Sequence, residues 1–204
     1  MIEHYDETNG TLEEILSSMK KAGSAGTDRT TDMEELLLRF PVYEYAFGKT
    51  EDIPFSDKVI QICRNDCQRY NHCWACPPNA GSIQLNMEKV RSYRNFMIFS
   101  TLNEVADSML FDQCMEAKRP HEELTREFRK VLKSEWNSRF YILSAGCMYC
   151  EECACPDAPC RHPEERLMTT ESHGIVLLQL VEQMKMGIFS GGNIIPYYSM
   201  ILFD

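Results

Sequence analysis

Five cysteines lie between positions 147 and 160, and they constrain what this chain can fold into more than any other feature. Two-residue gaps separate the first three, Cys147, Cys150 and Cys153, and Cys155 and Cys160 follow them. Such gaps let a tight loop turn several thiolates toward one point, which a metal ion or an iron–sulfur cluster requires. The stretch therefore predicts a metal-binding loop.

The fourth ligand of this loop has two candidates. In ferredoxins the repeated two-residue gap is completed by a more distant cysteine, often beside proline. Here Cys155 follows Cys153 after a single residue, so both thiols cannot easily face separate corners of one cluster. The longer loop to Cys160 can close over a cluster, and Pro156 and Pro159 lower the entropy lost on closure. We predict Cys160 as the ligand and keep Cys155 as the alternative.

A second group of cysteines precedes the first in the chain. Cys63 and Cys67 are four residues apart and share a face if the segment is helical. Cys73 and Cys76 are separated by two residues, and the prolines that follow force an extended backbone. Four thiols in so short a stretch predict a second metal site. Cys114 has no cysteine nearby and is expected to be a buried thiol.

Charge and composition exclude several classes of partner. The 204 residues carry a formal net charge of −10, whereas nonspecific binding to nucleic acid needs a basic surface. The same charge would be repelled by an anionic membrane surface. We therefore expect neither nucleic acid nor membrane as a partner.

The count of ten cysteines bears on the cellular compartment. Residues 1–10 are acidic and polar and have no signal-peptide pattern, and the apolar stretch near 175–181 is too short to cross a membrane. Many cysteines without a secretion signal favour a reducing compartment and metal ligation over disulfides. These features predict a cytoplasmic protein.

Hydrophobic periodicity predicts an α/β fold, with α+β as the alternative, in which helices flank a central mixed sheet of about four to five strands. Residues 1–40 are expected to form a helical extension, with a helix over 11–21, a flexible connector over 22–31 and a helical turn or two over 32–40. Residues 41–204 would form the cysteine-rich domain. The helices are predicted after Ser56 and over 86–94, 120–137 and 171–186, and the strands over 42–48, 95–101, 139–145 and 197–203. The loop that starts at Cys147 would then follow the carboxyl end of a strand, where open sheets place their sites.

Several motifs in the same order resemble an uncharacterised family of cysteine-rich predicted metal-binding proteins, common in anaerobic bacteria and archaea. The similarity extends from about residue 42 to the C-terminus. It implies metal binding in an anaerobe's cytoplasm, but no reaction. It also implies a recurring ligand set, with Cys73 and Cys155 as additions of this chain. The motif residues are Cys63, Cys67, Cys76, Pro77, Pro78, Cys147, Cys150, Cys153, Cys160, Arg161, His162, Pro163 and Glu171–Ile175.

Thiolate-only ligation narrows the cofactor to zinc or iron–sulfur. The repeated two-residue gaps favour one or two 4Fe-4S clusters, whereas zinc sites more often use two separated pairs of cysteines. The predicted role is redox or electron transfer with a redox protein partner. One alternative is a structural zinc-binding interaction protein. The other is an iron–sulfur enzyme whose three ligands, Cys63, Cys67 and Cys76, would leave one iron open to a small-molecule substrate that the sequence does not identify.

Overall fold

A five-stranded sheet organises residues 28–188 and 193–204, which are the residues described by the computed structural model. The strand order is β1-β2-β5-β3-β4, and every neighbouring pair is antiparallel except β3 and β4. The predicted mixed sheet is confirmed, although its parallel pairing is confined to this one short ladder. The strands are β1 (Glu44–Lys49), β2 (Asn95–Glu104), β3 (Phe140–Ser144), β4 (Met168–Thr169) and β5 (Ile194–Phe203).

The two central strands are buried on both faces, so they lack the polar alternation of a half-exposed strand. In β2, Met97 and Phe99 enter one core while Phe96 and Ile98 enter the other, as the two-residue period of a strand requires. The register pairs Met97 with Ile201, which lies in the same core, so the side chains of β5 alternate between the two cores as those of β2 do. The sheet therefore divides two apolar layers.

Helices cover both faces of the sheet. The longest, α5, is predicted from Pro120 and begins at Arg119, where proline in the first turn removes only an N–H that has no helical partner. Its buried Phe128 and Leu132 join Met33 and Leu37 of α1 in the first core. The helices are α1 (Asp28–Leu37), α2 (Lys58–Asp66), α3 (Ile83–Arg91), α4 (Phe111–Ala117), α5 (Arg119–Glu135) and α6 (Leu177–Gln183).

The structure corrects the predicted helix over 171–186. A 3-10 turn spans Glu171–His173 and ends at Gly174, whose φ of 69° is left-handed, and α6 starts only at Leu177. Side-chain room is also limited, since a Cβ on Gly174 would lie 3.1 Å from Cδ1 of Ile83. The helical spacing of apolar residues continues across this break, so the sequence pattern predicted one helix where the structure has two short elements.

Two further differences concern the helical elements. The connector predicted over 22–31 is wrong for its last residues, because α1 begins at Asp28, and the helix predicted over 11–21 lies outside the described residues. Helix α4 was not predicted, because its seven residues are too few to show a clear period. Within the two described ranges, no helix combines the length and apolar character needed to span a membrane.

A buried polar network joins α5 to β2, to the middle of β5 and to the end of β3. The ring of His121 lies 2.9 Å from Thr101 Oγ1 and 2.8 Å from Ser199 Oγ. The Ser144 hydroxyl lies 2.6 Å from Ser199 Oγ and 2.6 Å from Glu122 Oε1. Buried polar groups are stable only when paired, so these contacts hold α5 in one position beside the strand that leads to Cys147.

Glu122 should make stability fall as the pH rises. Burial raises the pKa of its carboxyl to about 7, so the folded protein keeps a proton that the unfolded chain releases near pH 4.5. A Glu122→Gln variant has no carboxyl to ionise at this position and does not lose this stability. The difference in free energy of unfolding between the variant and the wild type should therefore increase by about 2 to 3 kcal/mol, in favour of the variant, from pH 4.5 to pH 8. Chemical denaturation across this range measures the difference.

The exposed neighbour Glu123 provides the control. The stability of Glu123→Gln should follow the same pH dependence as the stability of the wild type across this range. His121 and His173 act in the opposite direction, since burial lowers their pKa to about 3 and about 4 and stability is lost as the pH falls below about 6.5. A Glu122→Gln curve parallel to the wild type would show that the carboxyl is ionised in the folded protein.

Candidate metal centre

The first site forms where β3 ends and the chain turns toward the loop after α2. Gly146 makes this turn with a φ of 130°, a backbone conformation that residues other than glycine rarely adopt. Five thiols then line one cavity together with two cations, Arg69 and Arg166, and the lining contains no carboxylate among the described residues. The five are Cys73, Cys147, Cys150, Cys153 and Cys160.

Hydrogen bonds to backbone carbonyls hold the two loops of this site together. The indole N–H of Trp74 donates to Ala158 O at 3.0 Å, and Arg69 donates to Cys147 O at 3.1 Å. Arg119, at the start of α5, donates to Met148 O at 3.2 Å. The open space between the thiols is about 20 Å³, so the loop must widen to admit a cluster.

The second site lies at the end of α2 and contains three thiols. Cys63 is in the helix and Cys67 ends it, with the Cys67 N–H bonded to Cys63 O at 3.2 Å, which keeps the two residues one turn apart. With Cys76 they line a cavity of about 390 Å³. Its other lining residues are Ile62, Asp66, Arg69, Tyr70, Pro77, Phe111, Met115, Lys118, Ala145, Gly146, Thr169 and Glu171.

Cys73 and Cys76 connect the two sites. Each lines a different cavity, yet their thiols are hydrogen bonded, and Arg69 borders both cavities. The bond from Cys76, with help from the Arg69 guanidinium, lowers the pKa of Cys73, while the same bond raises the pKa of Cys76. The two sites are therefore immediate neighbours.

One further thiol in each cavity, Cys63 and Cys147, is harder to ionise than an ordinary cysteine. Burial, with the nearby Glu171 carboxylate, raises the pKa of Cys63 to about 11, and burial also raises that of Cys147. A bound metal reverses this preference, since it binds the thiolate and releases the proton. Across the described residues, no three His, Cys, Asp or Glu side chains are gathered closely enough to hold a single metal ion.

The structure divides the predicted ligands differently from the sequence. Cys147, Cys150, Cys153 and Cys160 come together as expected, but Cys73 joins them, although its place in the chain is between Cys67 and Cys76. Cys155 borders neither cavity and donates to Asn71 O at 3.7 Å. Cys114 in α4 is half-buried and not fully buried as expected, and it donates to Ser108 O, which precedes the helix, at 3.4 Å. All ten cysteines are free thiols.

Sequence reasoning missed the charged residues around the thiols. Arg69, Arg166 and Lys118 belong to three distant segments, and none occupies a spacing that marks a site. Glu171 stood in a quoted motif, but its place beside Cys63 was not evident. Only the packing of α4, α5 and the loops onto the sheet edge brings these charges together.

Comparison with known proteins places both sites within one matched region. The model of a family described as predicted metal-binding protein (DUF2284) matches residues 48–203, which is most of the chain. The chain belongs to this family. The resemblance inferred from the cysteine motifs is thereby confirmed, and every proposed ligand of this DUF2284 protein lies inside the match. No curated protein and no solved structure matches the chain.

Proposed function

We propose that this protein holds iron–sulfur clusters in its two adjacent thiolate sites and exchanges electrons with a redox protein partner in the cytoplasm. The observation that carries the proposal is the pair of neighbouring cavities, one lined by five cysteines and the other by three. A cluster bound there supplies one-electron transfer at a potential set by its surroundings. The proposed role of the chain is to bind, orient and tune it.

The donor set of the first site suits a cluster. Four thiolates hold a 4Fe-4S cluster, and the cavity offers five with no competing carboxylate among the residues described. Arg69 and Arg166 offset the negative charge of such a site, which favours the reduced state. Cys147, Cys150, Cys153 and Cys160 are our proposed ligands, with Cys73 as the fifth thiol.

The contact between Cys73 and Cys76 supports electron exchange between the sites. Cofactors bound on either side of a hydrogen-bonded thiol pair would be close neighbours, and Arg69 would face both. The exposed face of the first loop gives a partner access, because Tyr149 and Glu151 lie at its surface. In this arrangement an electron that the partner donates at the first site could pass to a cluster at the second, and it would return to the partner by the same route.

Metal analysis of protein purified without oxygen tests the proposal. We expect about eight iron and about eight acid-labile sulfide per chain, with a visible absorption band that bleaches with dithionite. Iron and sulfide near four would restrict the proposal to one site. Stoichiometric zinc with no visible band would contradict it and would favour a structural zinc protein.

A further inference from the structure

Lys118, at the junction of α4 and α5, is a buried cation that makes no direct ion pair among the described residues. Its residue is 8% exposed, and no carboxylate of the described chain lies within 4.0 Å of its Nζ. The ammonium donates to Ala145 O at 3.1 Å and contacts Met115 Sδ at 3.5 Å. These direct acceptors are neutral, and the carboxyl groups of Glu122 and Glu171 act on the ammonium only from beyond ion-pair distance. The buried charge therefore lacks the close pairing that would offset its desolvation.

The ammonium faces the three-thiol cavity. A Cβ added to Gly146 would lie 3.2 Å from Nζ, and Gly146 borders the same cavity as Cys63, Cys67 and Cys76. The space, about 390 Å³, lies in the range of small-molecule sites. Because an ammonium has three donors and two are used, one donor remains for a ligand.

We propose that this cavity binds a small organic acid, whose carboxylate pairs with Lys118 beside the three thiols. Phe111 and Met115 provide apolar surface for a short carbon chain, and the Glu171 carboxyl can pair with a hydroxyl or ammonium group of the ligand. The inference rests on the proposed function, in which Cys63, Cys67 and Cys76 would hold a cluster beside this acid. Pairing with Lys118 itself requires no metal.

Calorimetric titration of the anaerobically purified, metal-loaded protein tests the inference. The probes are acetate, lactate and succinate, with phosphate as an inorganic oxoanion for comparison. We expect at least one carboxylate to bind the wild type in the millimolar range or tighter, and Lys118→Met to weaken this binding about tenfold or more. Lys133→Met, on the exposed face of α5, is the matched control and should bind as the wild type does.

A second variant guards against a folding defect in Lys118→Met. Phe111→Trp narrows the cavity without removing a charge, and it should also weaken binding of the carboxylate while circular dichroism stays unchanged. Failure of all three acids to bind the wild type, or equal binding by Lys118→Met, would overturn the inference. Binding of phosphate alone would do so too, since it would mark an inorganic anion site.

Iron analysis of the same samples separates this inference from the proposed function. Iron at both sites without acid binding would leave the proposed function standing and remove the organic acid. Binding of acid that depends on Lys118 in a protein without iron would do the reverse. Loss of iron in Lys118→Met would show that the lysine serves the metal site, and would overturn its role as an anchor for the acid.

Discussion

Replacing Cys150 by serine should remove about half of the bound iron and sulfide, roughly four of each per chain, and destabilise the cysteine loop. Cys150 belongs to the loop from which four thiols line one cavity. A serine hydroxyl is a poor substitute for a soft thiolate ligand. Iron and sulfide analysis, with the thermal unfolding midpoint, measures both effects.

Cys155→Ser is the matched control for this variant, because it changes the same loop outside the cavity. It should keep its full iron content, as should Cys114→Ser in α4. Full iron content and unchanged stability in Cys150→Ser would refute the ligand assignment. Loss of iron in Cys155→Ser would transfer the fourth ligand from Cys160 to Cys155.

Truncating Phe128 to alanine should lower the free energy of unfolding by about 3 to 5 kcal/mol. Its ring is fully buried and packs edge-to-face on Phe40 at 5.3 Å and on Phe99 at 6.0 Å. It therefore joins α5 to β2 and to the segment after α1. The loss combines the transfer of the ring from water with the cavity that it leaves.

Denaturant unfolding under anaerobic conditions measures this change against Leu178→Ala. Leu178 is 61% exposed, so its truncation should cost less than about 0.5 kcal/mol. A loss below about 1 kcal/mol in Phe128→Ala would mean that the core closes around the missing ring. Because α5 begins directly after Lys118, a shift of the helix in this variant should also weaken the binding of organic acid.

Local sequence patterns predicted the secondary structure correctly where the structure of an element depends mainly on its own residues. The apolar run of β2 and the period of α5 predicted both elements nearly to their ends, because burial of a strand or helix face leaves a period in the chain. The same approach failed at Gly174, where a left-handed residue and contact with Ile83 interrupt a pattern that still reads as helical. The left-handed glycine, whose N–H bonds to Glu171 O, ends the element there.

The cysteine spacing alone indicated soft-metal ligation and grouped Cys147, Cys150, Cys153 and Cys160, because ligands on one short loop are constrained by the chain itself. Family membership was also evident from the order of these motifs. Only the tertiary structure placed Cys73 with that loop, put the two sites side by side, and brought Lys118 to the second cavity. These residues are far apart in sequence, so their proximity depends on how the helices and loops pack on the sheet. Such packing produces no characteristic residue spacing from which the proximity could be predicted.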